Sequence, residues 1–236
     1  MPRPELWIIA GPNGAGKTTF VEIARSEAGL PEHAFINPDA ITLSYLREMG
    51  IESWKDAPAD LLKTTFIRAA NDAERLLQER VESGGIALIE TVLSTRKYCA
   101  LVESVRELGG VFNLIYVALS SAELSGERVA IRKSRGGHDV PADKLLPRWR
   151  ASLENLPWFA VRSDNLFFYD NSSSSRDEPH VLLVSGAEQV LTLHGLPSPA
   201  MRGIIAEFIR GFVAQDTGRR WRLDIDEPFI PATDER

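Results

Sequence analysis

Leu6-Trp7-Ile8-Ile9-Ala10-Gly11-Pro12-Asn13-Gly14-Ala15-Gly16-Lys17-Thr18-Thr19-Phe20 is the stretch whose reading decides the fold. Leu6 to Ala10 is a short apolar run closed by a glycine, and from Phe20 to Ala28 apolar residues recur at helical spacing. Between this strand and helix, Gly11 to Thr18 matches the pattern of glycine, four residues, Gly-Lys-Ser/Thr. The glycines let backbone amides turn inward around phosphates, and the helix that follows adds the positive end of its dipole. Lys17 then neutralises the β and γ oxygens, Thr18 can ligate magnesium, and Thr19 adds a further phosphate contact. A glycine-rich turn that binds nothing would require neither the lysine nor the threonine. The stretch Gly11 to Thr19 therefore predicts an ATP site.

Outward from this loop the chain alternates strand and helix. Ala34 to Ile36 reads as a second short strand ending at Asn37-Pro38-Asp39, with Asn37 suited to cap a helix over Ala40 to Met49 and Pro38 to open it. Leu61 to Glu82 is amphipathic over a long run and stops at Gly84-Gly85, after which Ile86 to Ile89 is all apolar and exits at Glu90. A helix over Tyr98 to Leu108, a buried strand over Val111 to Leu119, helices over Glu123 to Ser134 and Ala142 to Leu153, and a strand over Leu166 to Tyr169 continue the pattern. Five strands alternating with helices imply an α/β P-loop NTPase fold with a mainly parallel central sheet flanked by helices. His180 to Ser185 reads as an extra strand, Met201 to Val213 as a terminal helix, Ser172 to Ser175 as a solvent-exposed turn, and the polar end from Asp224 to Arg236 as a partly disordered tail.

The 236 residues suit one large domain, and 44% hydrophobic with 25% charged residues is the balance of a chain that buries a core. A formal net charge of −6 disfavours a surface built to neutralise nucleic-acid phosphates or anionic lipid. A single cysteine, Cys99, excludes an intrachain disulfide and fits a reducing compartment. The apolar run before the glycine loop is too short for a signal or membrane segment, so the expected location is cytoplasmic.

The loop alone does not choose among kinases, transport ATPases and motor-like NTPases. Leu124-Ser125-Gly126 is similar to the start of the ABC transporter signature, but that signature should lead into a buried strand ending Asp-Glu, whereas Asp139 to Leu153 is polar and helix-like. Three other groups fit phosphoryl transfer better. Asp39 follows the second strand at the sheet edge where ligands gather, so its carboxylate can take a proton from an attacking hydroxyl, although an acid in a first helical turn is also favoured by the dipole. Glu90 and Thr91 leave the third strand at the same edge, placed either to bind sugar hydroxyls or to help hold a magnesium shell. Arg128, Arg132 and Arg135 share one face of the Glu123 to Ser134 helix, as arginines that stabilise a transferring phosphoryl group would, or as a solvated basic face. Arg148 and Arg150 pose the same question, His138 reads as a loop residue, and Trp149 and Trp158 as core.

Taken in order, the loop Gly11 to Thr19, Asn37-Pro38-Asp39-Ala40-Ile41, Glu90-Thr91-Val92-Leu93-Ser94, Arg128-Val129-Ala130-Ile131-Arg132 and Gly136-Gly137-His138-Asp139-Val140-Pro141 resemble the zeta toxin family. The likeness continues through Arg148, Leu153-Glu154-Asn155-Leu156 and Tyr169-Asp170-Asn171-Ser172. The resemblance implies a P-loop kinase that uses ATP and Mg2+ to phosphorylate a nucleotide sugar, with UDP-N-acetylglucosamine as first candidate and an antitoxin protein as a partner. It makes Lys17 the phosphate-binding lysine, Asp39 the catalytic base, Glu90 a substrate-binding carboxylate with Thr91 and Arg148 beside it, and Arg128, Arg132 and Arg135 the source of arginines on the transferred phosphate. Val92 stands where the family often has threonine. The rival expectation is a regulatory or partner-remodelling ATPase with no small-molecule acceptor.

Overall fold

The computed structural model describes residues 2–134, 140–173, 180–186, 190–195, 197–215 and 222–226. The expected opening is there: β1 (Glu5–Ala10), the glycine loop, then α1 (Lys17–Glu27). Next come α2 (Pro38–Glu48), α3 (Ala59–Glu82), β2 (Ile86–Thr91), α4 (Cys99–Glu107), β3 (Val111–Ala118), α5 (Ala122–Ser134), α6 (Ala142–Ala160) and β4 (Asn165–Asp170). The chain continues through β5 (His180–Ser185), β6 (Val190–His194), α7 (Pro199–Val213) and β7 (Arg222–Asp226).

All seven strands join one sheet in the order β2-β1-β3-β4-β5-β6-β7. The pairs β1–β2, β1–β3, β3–β4 and β6–β7 are parallel, while β5 is antiparallel to both of its neighbours. This is a mostly parallel α/β sheet with the P-loop NTPase arrangement.

Side chains alternate across each strand, so each inner strand serves two cores. On one face Leu6, Ile8, Ile89, Leu114, Tyr116 and Phe168 pack with α3, α4, α6 and α7 through Leu77, Val102, Phe159 and Phe208. On the other, Ile9, Leu88, Ile115 and Val117 pack with α1 through Phe20, Val21 and Ala24. Burial on both faces is why these strands read as continuous apolar runs.

Four departures from the sequence reading have local causes. Ala34 to Ile36 is not a full strand: a 3-10 turn at Glu32–Ala34 leaves room only for a single parallel bridge, Phe35 to Leu88, before the helix cap. Residue Asn37 does cap α2, its Oδ1 accepting from the Asp39 amide at 2.9 Å, with Pro38 in the first turn. Helix α6 runs on to Ala160 and carries Pro147 and Pro157 inside it, because Leu156, Phe159 and Ala160 are fully buried against the main core and offset the hydrogen bonds that the prolines remove. Strands β6 and β7 extend the sheet where none was expected, so Asp224 to Asp226 belongs to a strand and not to a tail; residues 227–236 lie outside the described ones. Ser172 is not a solvated turn: its hydroxyl donates to Asp170 and accepts from the Ser120 amide at 2.9 Å, tying the ends of β3 and β4 together. Ser174 and Ser175 fall outside the described residues. Among the described residues no helix is long and apolar enough to cross a membrane.

Candidate active site

The glycine loop is pressed between the end of β3 and the start of α5. A Cβ at Gly11 would lie 2.2 Å from the Val117 carbonyl oxygen, and one at Gly14, whose φ is +75°, would lie 2.9 Å from Arg128 Cβ. Both positions exclude side chains by space as well as by backbone geometry. Three polar contacts pin the loop: Ser125 Oγ donates to the Asn13 carbonyl at 2.6 Å, Asn171 Nδ2 to the Ala15 carbonyl at 2.9 Å, and the Ala15 amide to the Pro12 carbonyl at 3.3 Å. The carbonyls of Asn13 and Ala15 are thus held by donors outside the loop, as a loop that presents its amides to a phosphate requires.

Lys17 opens α1 and is 7% exposed, its Nζ donating to the Pro12 carbonyl at 3.1 Å and lying 3.7 Å from Glu90 Oε1. Burial pushes its pKa below the usual lysine value; the Glu90 carboxylate opposes that shift and Arg132 adds to it. Thr18 Oγ1 donates to Glu90 Oε2 at 2.9 Å. The carboxylate at the end of β2 thus touches both the lysine and the threonine of the loop. Thr19 is exposed at the start of α1, its amide donating to the Gly16 carbonyl at 3.1 Å. Asn13 Oδ1 is buried with no hydrogen-bond partner among the described residues, an acceptor facing the same region.

A cleft of about 380 Å³ runs from Lys17 and Thr18 past Glu90 to Asp39, Thr91, Val92, Arg132 and Arg148. Asp39 is exposed in the first turn of α2 and lines this cleft. Its backbone amide donates to the Asn37 cap, and its place in the first turn of α2 suits a carboxylate by the helix dipole as well as placing it on the cleft wall. A second, adjoining cleft of about 230 Å³ lies between Gly14, Thr18, Glu90, Arg128 and Arg132. Arg128 Nη2 donates to the Ser173 carbonyl at 2.9 Å. Helix α5 therefore brings Arg128 and Arg132 to the phosphate loop, and Arg132 lines both clefts. Arg135 and Gly136 to Asp139, His138 included, lie outside the described residues. Arg150 is exposed and lines neither cleft.

The chain leaves β2 by a turn in an uncommon conformation. Leu93 has φ +61°, a left-handed geometry that costs a non-glycine residue about 1–2 kcal/mol. It is 1% exposed, its amide donates to Thr91 Oγ1 at 3.2 Å, and its carbonyl accepts from Asn155 Nδ2 on α6 at 3.0 Å.

Four residues at or beside the site had no role assigned from the sequence: Ser125, Asn171, Asn155 and Phe66, of which Asn155 and Asn171 do fall in the blocks that carry the family resemblance. Ser125 sits in the run that is similar to a transporter signature, yet here it lies in α5 directly after β3 and buttresses the loop. Phe66, on α3, lines the large cleft and stacks on Trp54 with centroids 4.9 Å apart and planes at 20°. Nothing in local sequence pairs residues so far apart. Of the two tryptophans expected in the core, Trp158 packs against the main cluster, whereas Trp149 is half-buried outside both clusters, its indole donating to the Leu119 carbonyl at 3.1 Å.

The zeta toxin family model matches residues 1–187, well over half of the chain. No protein of curated function matches the sequence. Among solved structures, a chain of the native AvrRxo1-ORF1:-ORF2 complex is 16% identical with a TM-score of 0.59, over 96% of this chain and 72% of that one. A chain of the AvrRxo1-ORF1:-ORF2 structure with ATP is 18% identical with a TM-score of 0.55, over 79% of this chain; the match spans only 59% of that chain's length. A chain from the PezAT chromosomal toxin-antitoxin system of Streptococcus pneumoniae is 17% identical with a TM-score of 0.52, over 89% of this chain and 85% of that one. At these identities the likeness carries the fold.

Proposed function

The chain belongs to the zeta toxin family of P-loop phosphotransferases, and from that premise we propose that it is an ATP-dependent kinase acting on a sugar hydroxyl of a nucleotide sugar, with UDP-N-acetylglucosamine as first candidate. The observation that carries this reading is the continuity of the large cleft, which joins the phosphate loop at Lys17 and Thr18 to Asp39 and Arg148. A device that only hydrolyses ATP has no need of a walled space beyond the γ-phosphate position.

The loop fits a nucleotide phosphate chain on two grounds: its glycines let the backbone pack directly on β3 and α5 in a conformation that side chains would block, and its lysine is buried beside the loop. ATP bound there supplies the phosphoryl group, and its magnesium ion supplies charge on the phosphate oxygens. Gly11, Pro12, Asn13, Gly14, Ala15, Gly16, Lys17, Thr18 and Thr19 hold the nucleotide. Thr18 holds the metal, and the Thr18–Glu90 hydrogen bond supports Glu90 in the outer shell of that ion, the metal-side role of the two open to it. Arg128 and Arg132, with Arg135 as the third candidate, stabilise charge on the transferring phosphoryl group from α5. Asp39 accepts the proton of the attacking hydroxyl, while Thr91 and Arg148 bind the acceptor. Because both reactants are held in one cleft, positioning and charge neutralisation carry the rate. The reading includes a cytoplasmic location, where ATP and nucleotide sugars meet, and an antitoxin partner.

The test is incubation with ATP, magnesium and a panel of UDP-sugars, followed by mass spectrometry for a gain of one phosphate. The expected product is phosphorylated UDP-N-acetylglucosamine, lost in Lys17→Ala and reduced by at least about 100-fold in Asp39→Asn, the lower end of general-base contributions. Phosphate release with every acceptor unchanged would replace this reading with a partner-remodelling ATPase.

A further inference from the structure

The block Leu153-Glu154-Asn155-Leu156 belongs to the resemblance, yet none of its residues lines the clefts. Its position in the fold gives one of them a task. Arg148, Ser152 and Asn155 are spaced i, i+4, i+7 on α6 and share one face. Arg148 lines the acceptor end of the large cleft, Ser152 Oγ lies 2.9 Å from Tyr116 Oη in the middle of the sheet, and Asn155 Nδ2 donates to the Leu93 carbonyl. That carbonyl belongs to the left-handed residue of the turn that carries Thr91 and Val92 into the cleft.

We propose that Asn155 is a positioning residue for the acceptor: it holds Leu93 in its left-handed conformation and thereby sets where Thr91 and Val92 stand, in register with Arg148 on the same helix. The proposal rests on the kinase reading only for its effect on transfer; the geometric part stands apart from it.

Three contacts define the turn, and they are of different kinds. The Leu93 side chain is buried in the main core, its amide is held by Thr91 Oγ1, and its carbonyl is held by Asn155. The first two tie the turn to its own strand and to the sheet. The core contact is shared with Leu156 and Phe159 of α6, but it is non-directional; among the described residues the Asn155 contact is the hydrogen bond that joins the turn's backbone to α6, the helix that presents Arg148. Removing the amide donor leaves a carbonyl of a buried residue unsatisfied, and the backbone can relieve both that and the unfavourable φ by turning. A turn at Leu93 moves Val92 and Thr91 with it. Among the described residues the hydrogen bond of Asn155 goes to Leu93 and not to the glycine loop, so the expectation is that nucleotide binding is unaffected by this route.

The test compares Asn155→Leu, near in size without a donor, with Asn155→Gln, which keeps the amide. Hydrogen exchange on the full chain reads the turn directly, with no acceptor needed. Exchange at Leu93 and Ser94 is expected to rise about tenfold in Asn155→Leu, with the amides of the glycine loop unchanged and Asn155→Gln intermediate. With UDP-N-acetylglucosamine as probe, KM for that acceptor is expected to rise about tenfold in Asn155→Leu while ATP affinity stays within twofold. Unchanged exchange at Leu93 and Ser94 overturns the proposal whether or not any UDP-sugar is phosphorylated. Equal loss in both variants, matched by loss of global stability and spread over kcat, KM and ATP affinity, also overturns it and leaves Asn155 as packing. If the exchange pattern appears but the wild-type protein phosphorylates no UDP-sugar, the proposal holds for the turn and the choice of acceptor class is what fails.

Discussion

Replacing Gly14 by alanine separates the cost of backbone geometry from the cost of space, because Gly29 offers a control in the same chain. Both residues have positive φ, +75° at Gly14 and +63° at Gly29. A Cβ at Gly29 meets nothing within 4 Å, whereas one at Gly14 meets Arg128 Cβ at 2.9 Å and the Ser125 carbonyl oxygen at 3.0 Å. For Gly29→Ala the left-handed geometry costs about 1–2 kcal/mol, offset by about 0.4–1 kcal/mol of lost unfolded-state freedom, for a net near 1 kcal/mol. Gly14→Ala carries the same term plus overpacking of about 1–3 kcal/mol, because its neighbours are a backbone oxygen and a Cβ and neither can swing away. The expected totals are about 1 kcal/mol for Gly29→Ala and about 2–4 kcal/mol for Gly14→Ala. In a chain of this size each kcal/mol moves Tm by about 2–4 °C, so the two variants are resolvable by calorimetry or urea titration. The functional readout is the shift in Tm caused by nucleotide. At 100-fold excess over Kd the wild type should gain about 2.7 kcal/mol; Gly29→Ala should keep that gain, and Gly14→Ala should lose most of it as α5 is pushed off the loop. Equal destabilisation of the two variants, or an undiminished nucleotide shift in Gly14→Ala, would refute the packing of the loop against α5.

Asn171→Ala removes the donor to the Ala15 carbonyl and should weaken nucleotide binding about three- to tenfold at a stability cost of about 1 kcal/mol, checked by calorimetric titration with ATP. At alkaline pH two buried phenols oppose folding. Burial pushes Tyr98 up to about 12 and Tyr116 higher still, so above pH 10 the unfolded chain loses those protons first and stability falls as pH rises. Tyr98 alone should remove about 2–3 kcal/mol by pH 12, and Tyr116→Phe should move the alkaline unfolding midpoint to higher pH despite losing its bond to Ser152, as followed by tyrosinate absorbance and circular dichroism. Lys17 works in the opposite sense. Its folded pKa is lowered, so between that value and the usual 10.5 the unfolded chain binds more protons and stability rises with pH; Lys17→Met should flatten the rise in a urea titration series.

The sequence by itself determined the phosphate loop, the alternation that builds a parallel sheet, and which residues leave strands at its ligand-bearing edge. These features are local. A strand buried on both faces must be apolar throughout, a loop that wraps phosphates must have glycine where backbone meets backbone, and a helix that starts at Asn37-Pro38 advertises its cap. What lay beyond local pattern was decided by tertiary structure. Phe35 could not become a strand because a 3-10 turn and a helix cap leave it a single bridge. Strand β7, whose alternation Arg222-Leu223-Asp224-Ile225-Asp226 has the right period, is a strand only because β6 lies beside it. Asp39 follows Asn37-Pro38 in sequence, but that its place in the first turn of α2 is also a place on the wall of the cleft that holds Lys17 and Thr18 is set by the fold. Glu90 is 72 residues from Thr18 in sequence and 2.9 Å from it in space, and Asn155 is 62 residues from the strained carbonyl it holds. A hydrogen bond between distant residues leaves no period and no composition to read. It exists because two elements pack, and that is decided by the whole core at once.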